Sequence, residues 1–210
     1  MPDRFRIAVV YLLGFALDLA NMFMLNAAYP ALQRELHASV AQLAWIGNMY
    51  VLGLTVVIPL GAWLARRCGE RRVLAASLLL FGFGSACVGA SPTIEALLAW
   101  RLIQGLGGGL LIPVGQTMAY RAYPPQARAR LTSVVMMVAL LVPALSPAIG
   151  GAIVDRGSWR AIFFAMLPIA LATCVLAFAW LPRDGARGRR GSTGRGSASA
   201  RRRWSRCCSA

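Results

Sequence analysis

Long apolar runs broken by short charged loops dominate the chain. Six stand out, at roughly 7–29, 43–64, 73–91, 96–120, 131–154 and 161–181, each close to the length a helix needs to cross about 30 Å of hydrocarbon. The first run carries Asp18, Asn21 and Asn26 where the apolar stretch of a cleavable leader would be clean, so it reads as a retained helix. The pattern predicts an all-α integral membrane protein with six transmembrane helices, occupying residues 1–182.

Composition agrees. Hydrophobic residues make up 58% and charged residues 14%, against about 45–50% and about 25% in a soluble domain. The net charge of +15 is carried entirely by arginine, and nine of the arginines lie between Arg183 and Arg206. The excess therefore describes a tail, and it implies no specific nucleic-acid partner. In the loops the arginines alternate. Arg4 and Arg6, then Arg66, Arg67, Arg71 and Arg72, then Arg121, Arg128 and Arg130 fall on one side, while the intervening loops hold Arg34, none, and Arg156 with Arg160. Retention of positive loops in the cytoplasm puts both termini there and the chain in the inner (cytoplasmic) membrane. The five cysteines form no C-x-x-C pair, so neither a metal site nor a disulfide framework is indicated. Trp45, Trp100, Trp159 and Trp180 fall near span ends, where indole rings favour the interface. His37 and Glu95 read as a solvated loop residue and a span-end residue.

Polar residues at membrane depth carry the chemical signal. Asp18 lies about eleven residues into the first span, roughly 16 Å from its edge. A charge there costs about 2.5–3.5 kcal/mol, so Asp18 and Arg101 must face the protein interior. Asn21 and Asn26 extend the Asp18 face at i+3 and i+8, and Gln104 extends that of Arg101 at i+3, making these five a candidate proton and substrate pathway. Gly105 and Gly109, four apart, predict close approach of another helix. Pro143 and Pro147 predict a bend in the fifth helix, which Gly150 and Gly151 leave smooth.

The loop Trp63-Leu64-Ala65-Arg66-Arg67-Cys68-Gly69-Glu70-Arg71-Arg72 turns at Gly69 and resembles the loop between the second and third helices of the major facilitator superfamily, with Arg66 at a usually acidic position. Its Gly-Glu variant is similar to the EmrB/QacA-type drug:proton antiporters. Arg101 to Gly109 matches R-x-x-Q-G-x-G-G-G. Pro143 to Gly151 resembles the antiporter signature G-P-x-x-G-G, with Ser146 replacing its first glycine. Trp159 to Ile169 resembles W-R-x-I-F-F-x-x-x-P-I. Aligning Asn26-Ala27-Ala28-Tyr29-Pro30 with the end of the first-helix motif D-x-x-x-x-N-x-A-x-P puts Asn21 at the acidic position, with Asp18 one turn earlier.

The resemblance implies the N-terminal half of a major facilitator fold, a 3+3 inverted repeat belonging to a twelve- or fourteen-helix machine. It implies proton-coupled efflux of drugs or other small lipophilic or cationic compounds, driven by the proton gradient with no cofactor. Asp18 would alternate between proton and substrate, first and fourth helices would line one cavity where Asp18 and Arg101 pair or compete, and Arg66, Arg67, Gly69, Glu70 and Arg71 would form a gating loop. The fifth helix would present its smooth face to a second transporter half or to a second copy. Partners are then the lipid bilayer, a small-molecule substrate and that second half. A six-helix membrane scaffold or regulatory subunit that does not transport is the alternative, and an enzyme is not indicated, since no metal cluster or nucleophile constellation is present.

After Pro182 the composition turns to Arg, Gly, Ser and Ala, which cannot form a core. Residues 183–210 read as a disordered cytoplasmic tail. Rebuilding codons across one frame converts much of it to apolar residues, so from about 188 onward it reads as a frameshifted continuation, a point the coding DNA decides.

Overall fold

The computed structural model describes residues 3–181, and the tail, with its frameshift reading, lies outside them. Six helices follow one another: α1 (Asp3–Leu36), α2 (Val40–Cys68), α3 (Glu70–Ala90), α4 (Ile94–Ala122), α5 (Pro125–Arg156) and α6 (Arg160–Trp180). All six are long and apolar enough to cross a membrane, as the apolar runs predict. Each helix starts before or ends after its apolar run, because charged and polar residues continue the backbone ladder beyond the hydrocarbon while hydropathy registers only the lipid-facing core. At 34 residues, α1 is about 51 Å long.

Local chemistry sets the turns. Ser39 caps α2 reciprocally with Gln42: Gln42 N–H donates to Ser39 Oγ (3.2 Å) and Ser39 N–H to Gln42 Oε1 (2.9 Å), satisfying two otherwise unpaired donors. One residue, Gly69, joins α2 to α3 at φ 93°, where an L side chain would be strained. Thr93 caps α4 through Ala96 N–H at 3.3 Å. Pro124 and Pro125 open α5, where a missing N–H costs nothing.

Helix α4 packs on α1, α2 and α3, while α1 also packs on α5 and α6, and α3 on α6. Exchanging α1–α3 with α4–α6 maps this set onto itself: α1 on α5 becomes α4 on α2, α1 on α6 becomes α4 on α3, and the α1/α4 and α3/α6 pairs map to themselves. With successive helices running in opposite directions, that exchange reverses each helix, which is the inverted 3+3 repeat.

Burial is uneven. Of the 32 residues of α5, only Leu131, Val135, Ser146 and Gly150 are buried, while Met136, Met137, Leu140, Leu141, Leu145 and Ile149 are exposed. On α2 a narrow stripe, Leu43, Ile46, Tyr50, Gly53, Val57 and Gly61, faces inward.

One expectation is corrected. Trp159 is no interfacial anchor. It is fully buried, crosses Phe163 edge-on at 6.1 Å and donates its indole N–H to Glu35 at 2.7 Å. The neighbouring Arg160 stacks on that indole at 4.4 Å and donates to the Ser91 carbonyl at 2.8 Å. Being next to a loop does not fix a side chain's direction, and here it turns into the joint of α1, α3 and α6.

Candidate functional site

The bundle centre contains a polar cluster made by three helices. From α4 come Arg101 and Gln104, from α1 Asp18 and Asn21, and from α2 Tyr50, all buried. Placing them there requires helices to approach closely, and glycine permits it. A Cβ on Gly105 would collide with the Tyr50 carbonyl oxygen, one on Gly109 would sit 2.7 Å from the Leu54 carbonyl oxygen, and one on Gly84 would sit 2.8 Å from Gln104 Cα. Gly105 and Gly109 thus both lie against α2, on that side of α4. Of the fifth-helix pair, Gly150 lies against α1, where a Cβ would come 3.0 Å from the Met24 carbonyl oxygen, and Gly151 meets nothing. Pro143 is half-buried and Pro147 exposed, within an unbroken helix.

Among the described residues no carboxylate lies within ion-pair distance of Arg101, whereas Arg6 pairs with Asp3 and Arg121 with Glu70. Its Nη1 donates to Gln104 Oε1 (2.9 Å) and Asn21 Oδ1 (3.3 Å), and its Nε to the Ile46 carbonyl (3.3 Å). Gln104 Nε2 also donates to Asn21 Oδ1 at 3.1 Å. The guanidinium lies 4.7 Å from the centre of the Tyr50 ring and 5.7 Å from that of Phe163, an attraction worth about 2 kcal/mol when desolvated. Among the described residues Arg101 Nη2 and Asn21 Nδ2 keep no hydrogen-bond partner, so the core retains donors to spare.

Asp18 is held differently. The Tyr50 hydroxyl donates to Asp18 Oδ1, so one tyrosine bonds the acid through its oxygen and carries the base on its ring face. Gly108 makes room: a Cβ there would lie 2.7 Å from Asp18 Oδ1 and crowd the Tyr50 hydroxyl.

Four of the five candidate pathway residues, Asp18, Asn21, Arg101 and Gln104, lie together in this cluster. Asn26 is exposed and stays outside the cluster, because eight residues at 100° each leave it about 80° round the helix from Asp18. Tyr50 and Gly108 were missed. Tyr50 was legible in principle, since it falls on the three-and-four spacing of Leu43, Ile46, Gly53, Val57 and Gly61 on a helix otherwise facing outward.

The gating-loop residues gather at one end of the bundle. Glu70 pairs with Arg121 of α4, Arg71 donates to the Phe178 carbonyl of α6, and Arg67 lies over the Trp63 ring at 5.4 Å. Arg66 is exposed. Among the described residues no group of His, Cys, Asp or Glu is placed to hold a metal ion, and Cys68, Cys87 and Cys174 are free thiols.

Comparisons with known proteins agree with this architecture. The family model described as Major Facilitator Superfamily matches residues 11–209. The Multidrug resistance protein B homolog of Mycobacterium tuberculosis is 34% identical over 188 residues, covering 87% of this chain and 35% of that protein. The MFS-type transporter YhcA of Bacillus subtilis is 31% identical over 170 residues, covering 81% of this chain and 32% of its own length. The chain therefore spans about a third of the curated relatives it matches. A solved D-xylose-proton symporter superposes with a TM-score of 0.74 at 20% identity, over 86% of this chain and 49% of that one, which shows the fold. A six-helix bundle with this exchange symmetry, matched along nearly its whole length by the family model, is a member of the major facilitator superfamily of transporters.

Proposed function

We propose that this chain supplies the first six-helix unit of a proton-coupled exporter of small lipophilic or cationic compounds, and that Asp18 is its proton-exchanging group. The carrying observation is the Tyr50 hydroxyl bonded to a buried carboxyl on one side, with the Arg101 guanidinium over the same ring. A charge at this depth is costly and defaults to function. Protonated, Asp18 is neutral and stays on Tyr50. Having lost its proton, it becomes an acceptor for the donors that Arg101 Nη2 and Asn21 Nδ2 hold unspent, or for a cationic substrate. Those two outcomes exclude each other, which gives exchange of proton for substrate.

Relatives bearing multidrug-resistance names support the substrate class, and the arginine asymmetry of the loops supports an inner membrane location with both termini cytoplasmic. Alternating access needs two halves rocking about a midplane site, and the exposed face of α5 is where we place the second half, supplied by a longer gene product, a partner or a second copy. The same face favours a second reading, a six-helix scaffold or regulatory subunit. Proteoliposomes test the choice. A pH gradient is expected to drive ethidium across membranes holding the protein joined to its second half, and Asp18→Asn to abolish this with expression intact. Undiminished flux in the variant removes the assignment, and specific crosslinking through α5 without any flux in the wild type favours the scaffold.

A further inference from the structure

Two amides inside the apolar runs take no part in the buried cluster. Asn26 lies near the end of the first run and Asn48 near the start of the second, and both are exposed. Neither side chain makes a hydrogen bond among the described residues. An amide turned to hydrocarbon forfeits the bonds it would make in water, so polar groups within the span face protein or a watery cavity.

The contact between α1 and α2 brings these amides to one place. A Cβ on Gly47 would sit 3.5 Å from the Tyr29 hydroxyl, so Tyr29 of α1 points at Gly47 of α2. Asn26 precedes Tyr29 by three residues, which at about 100° each puts it about 60° round α1 from that contact, and Asn48 lies about 100° round α2 from Gly47. The helices run in opposite directions, so both rotations lead to the same side of the plane that holds the two axes. Asn21 and Tyr50, by the same reckoning, turn about 80° and about 60° the other way, and both do meet the Arg101 guanidinium there. In depth the amides differ by about 3 Å. One turn deeper on the same exposed arcs stand Met22 of α1 and Leu52 of α2, both exposed.

We propose that Asn26 and Asn48 form a subsite for the uncharged hydrogen-bonding group of a lipophilic compound, an amine, carbonyl or hydroxyl, whose apolar body lies along Met22 and Leu52. A side-chain amide both donates and accepts, so the pair selects for hydrogen-bonding capacity and leaves charge to Asp18. The side of α1 and α2 that carries it is turned away from the Arg101 cluster, so compound and proton would occupy separate places. The subsite rests on the exporter reading for the kind of compound that reaches it, and on the two amides for its existence.

Equilibrium binding of ethidium and of tetraphenylphosphonium to the full chain in phosphatidylcholine nanodiscs tests this. Both probes are lipophilic monocations, and only ethidium carries hydrogen-bonding amines. N26L/N48L keeps the bulk of the two side chains and removes their polar atoms at exposed positions, where packing is undisturbed. It is expected to weaken ethidium binding on the order of tenfold and to leave tetraphenylphosphonium binding as in the wild type. Unchanged ethidium binding, equal loss of both probes, or wild-type binding no tighter than to empty nanodiscs overturns the subsite. Ethidium binding that depends on the two amides in a protein without pH-driven flux keeps the subsite and removes the exporter reading instead.

Discussion

Asn21 Oδ1, and no carboxylate, is the α1 side-chain oxygen that meets the Arg101 guanidinium, at 3.3 Å. The acid lies one turn away at Asp18 and is bonded by Tyr50. Three residues of helix separate the two positions by about 4.5 Å, enough to move the carboxyl from the arginine to the tyrosine. An amide therefore occupies the place beside the cation, and the tyrosine links cation to acid.

Exchanging the two α1 positions tests this arrangement. Asn21→Asp puts a carboxylate against Arg101, and with Asp18 still present it is expected to lock the cluster and slow ethidium flux. The swap Asp18→Asn with Asn21→Asp is expected to recover transport that Asp18→Asn alone loses. A swap as inactive as the single variant would show that the acid must stand on Tyr50.

Tyr50→Phe keeps the ring under Arg101 and removes the hydroxyl. Hydrogen bonds between membrane helices contribute about 0.6 kcal/mol and up to about 1.7 kcal/mol, so the bundle should survive with a modest loss in unfolding free energy. The flux, by contrast, is expected to show an altered pH profile. An unchanged profile would leave Tyr50 a packing residue.

Close helix approach makes a different prediction. Gly105→Ala and Gly53→Ala each add a Cβ against backbone across the α2–α4 seam, where flexible side chains cannot yield, and should cost about 1–3 kcal/mol. Gly151→Ala meets nothing within 4 Å and serves as the neutral control. Denaturant titration of the three in one detergent compares them.

Far from the cluster, Glu35→Gln weakens the acceptor of the Trp159 indole N–H. Glu35 is largely exposed, so the expected loss is small, below about 1 kcal/mol. Removing the buried ring through Trp159→Ala should cost about 3–5 kcal/mol. Equal effects would contradict a packing role for the indole.

Six apolar runs made the helices legible, and the cost of charge in hydrocarbon made Asp18 and Arg101 legible as inward-facing. What stayed hidden was partnership across helices. Tyr50 sits in an apolar run, and only the narrow inward stripe of α2 marks it. Asn26 misled because eight residues drift off the face that three residues share. Trp159 misled because a loop-adjacent indole reads as interfacial until α1 and α6 are seen together.

Infrared difference spectroscopy of the chain in lipid, recorded across a pH step, tests most directly whether Asp18 exchanges a proton on Tyr50. We predict a carboxylic C=O band in the wild type that shifts in Tyr50→Phe and vanishes in Asp18→Asn. Wild-type and Asp18→Asn spectra that coincide would contradict the account.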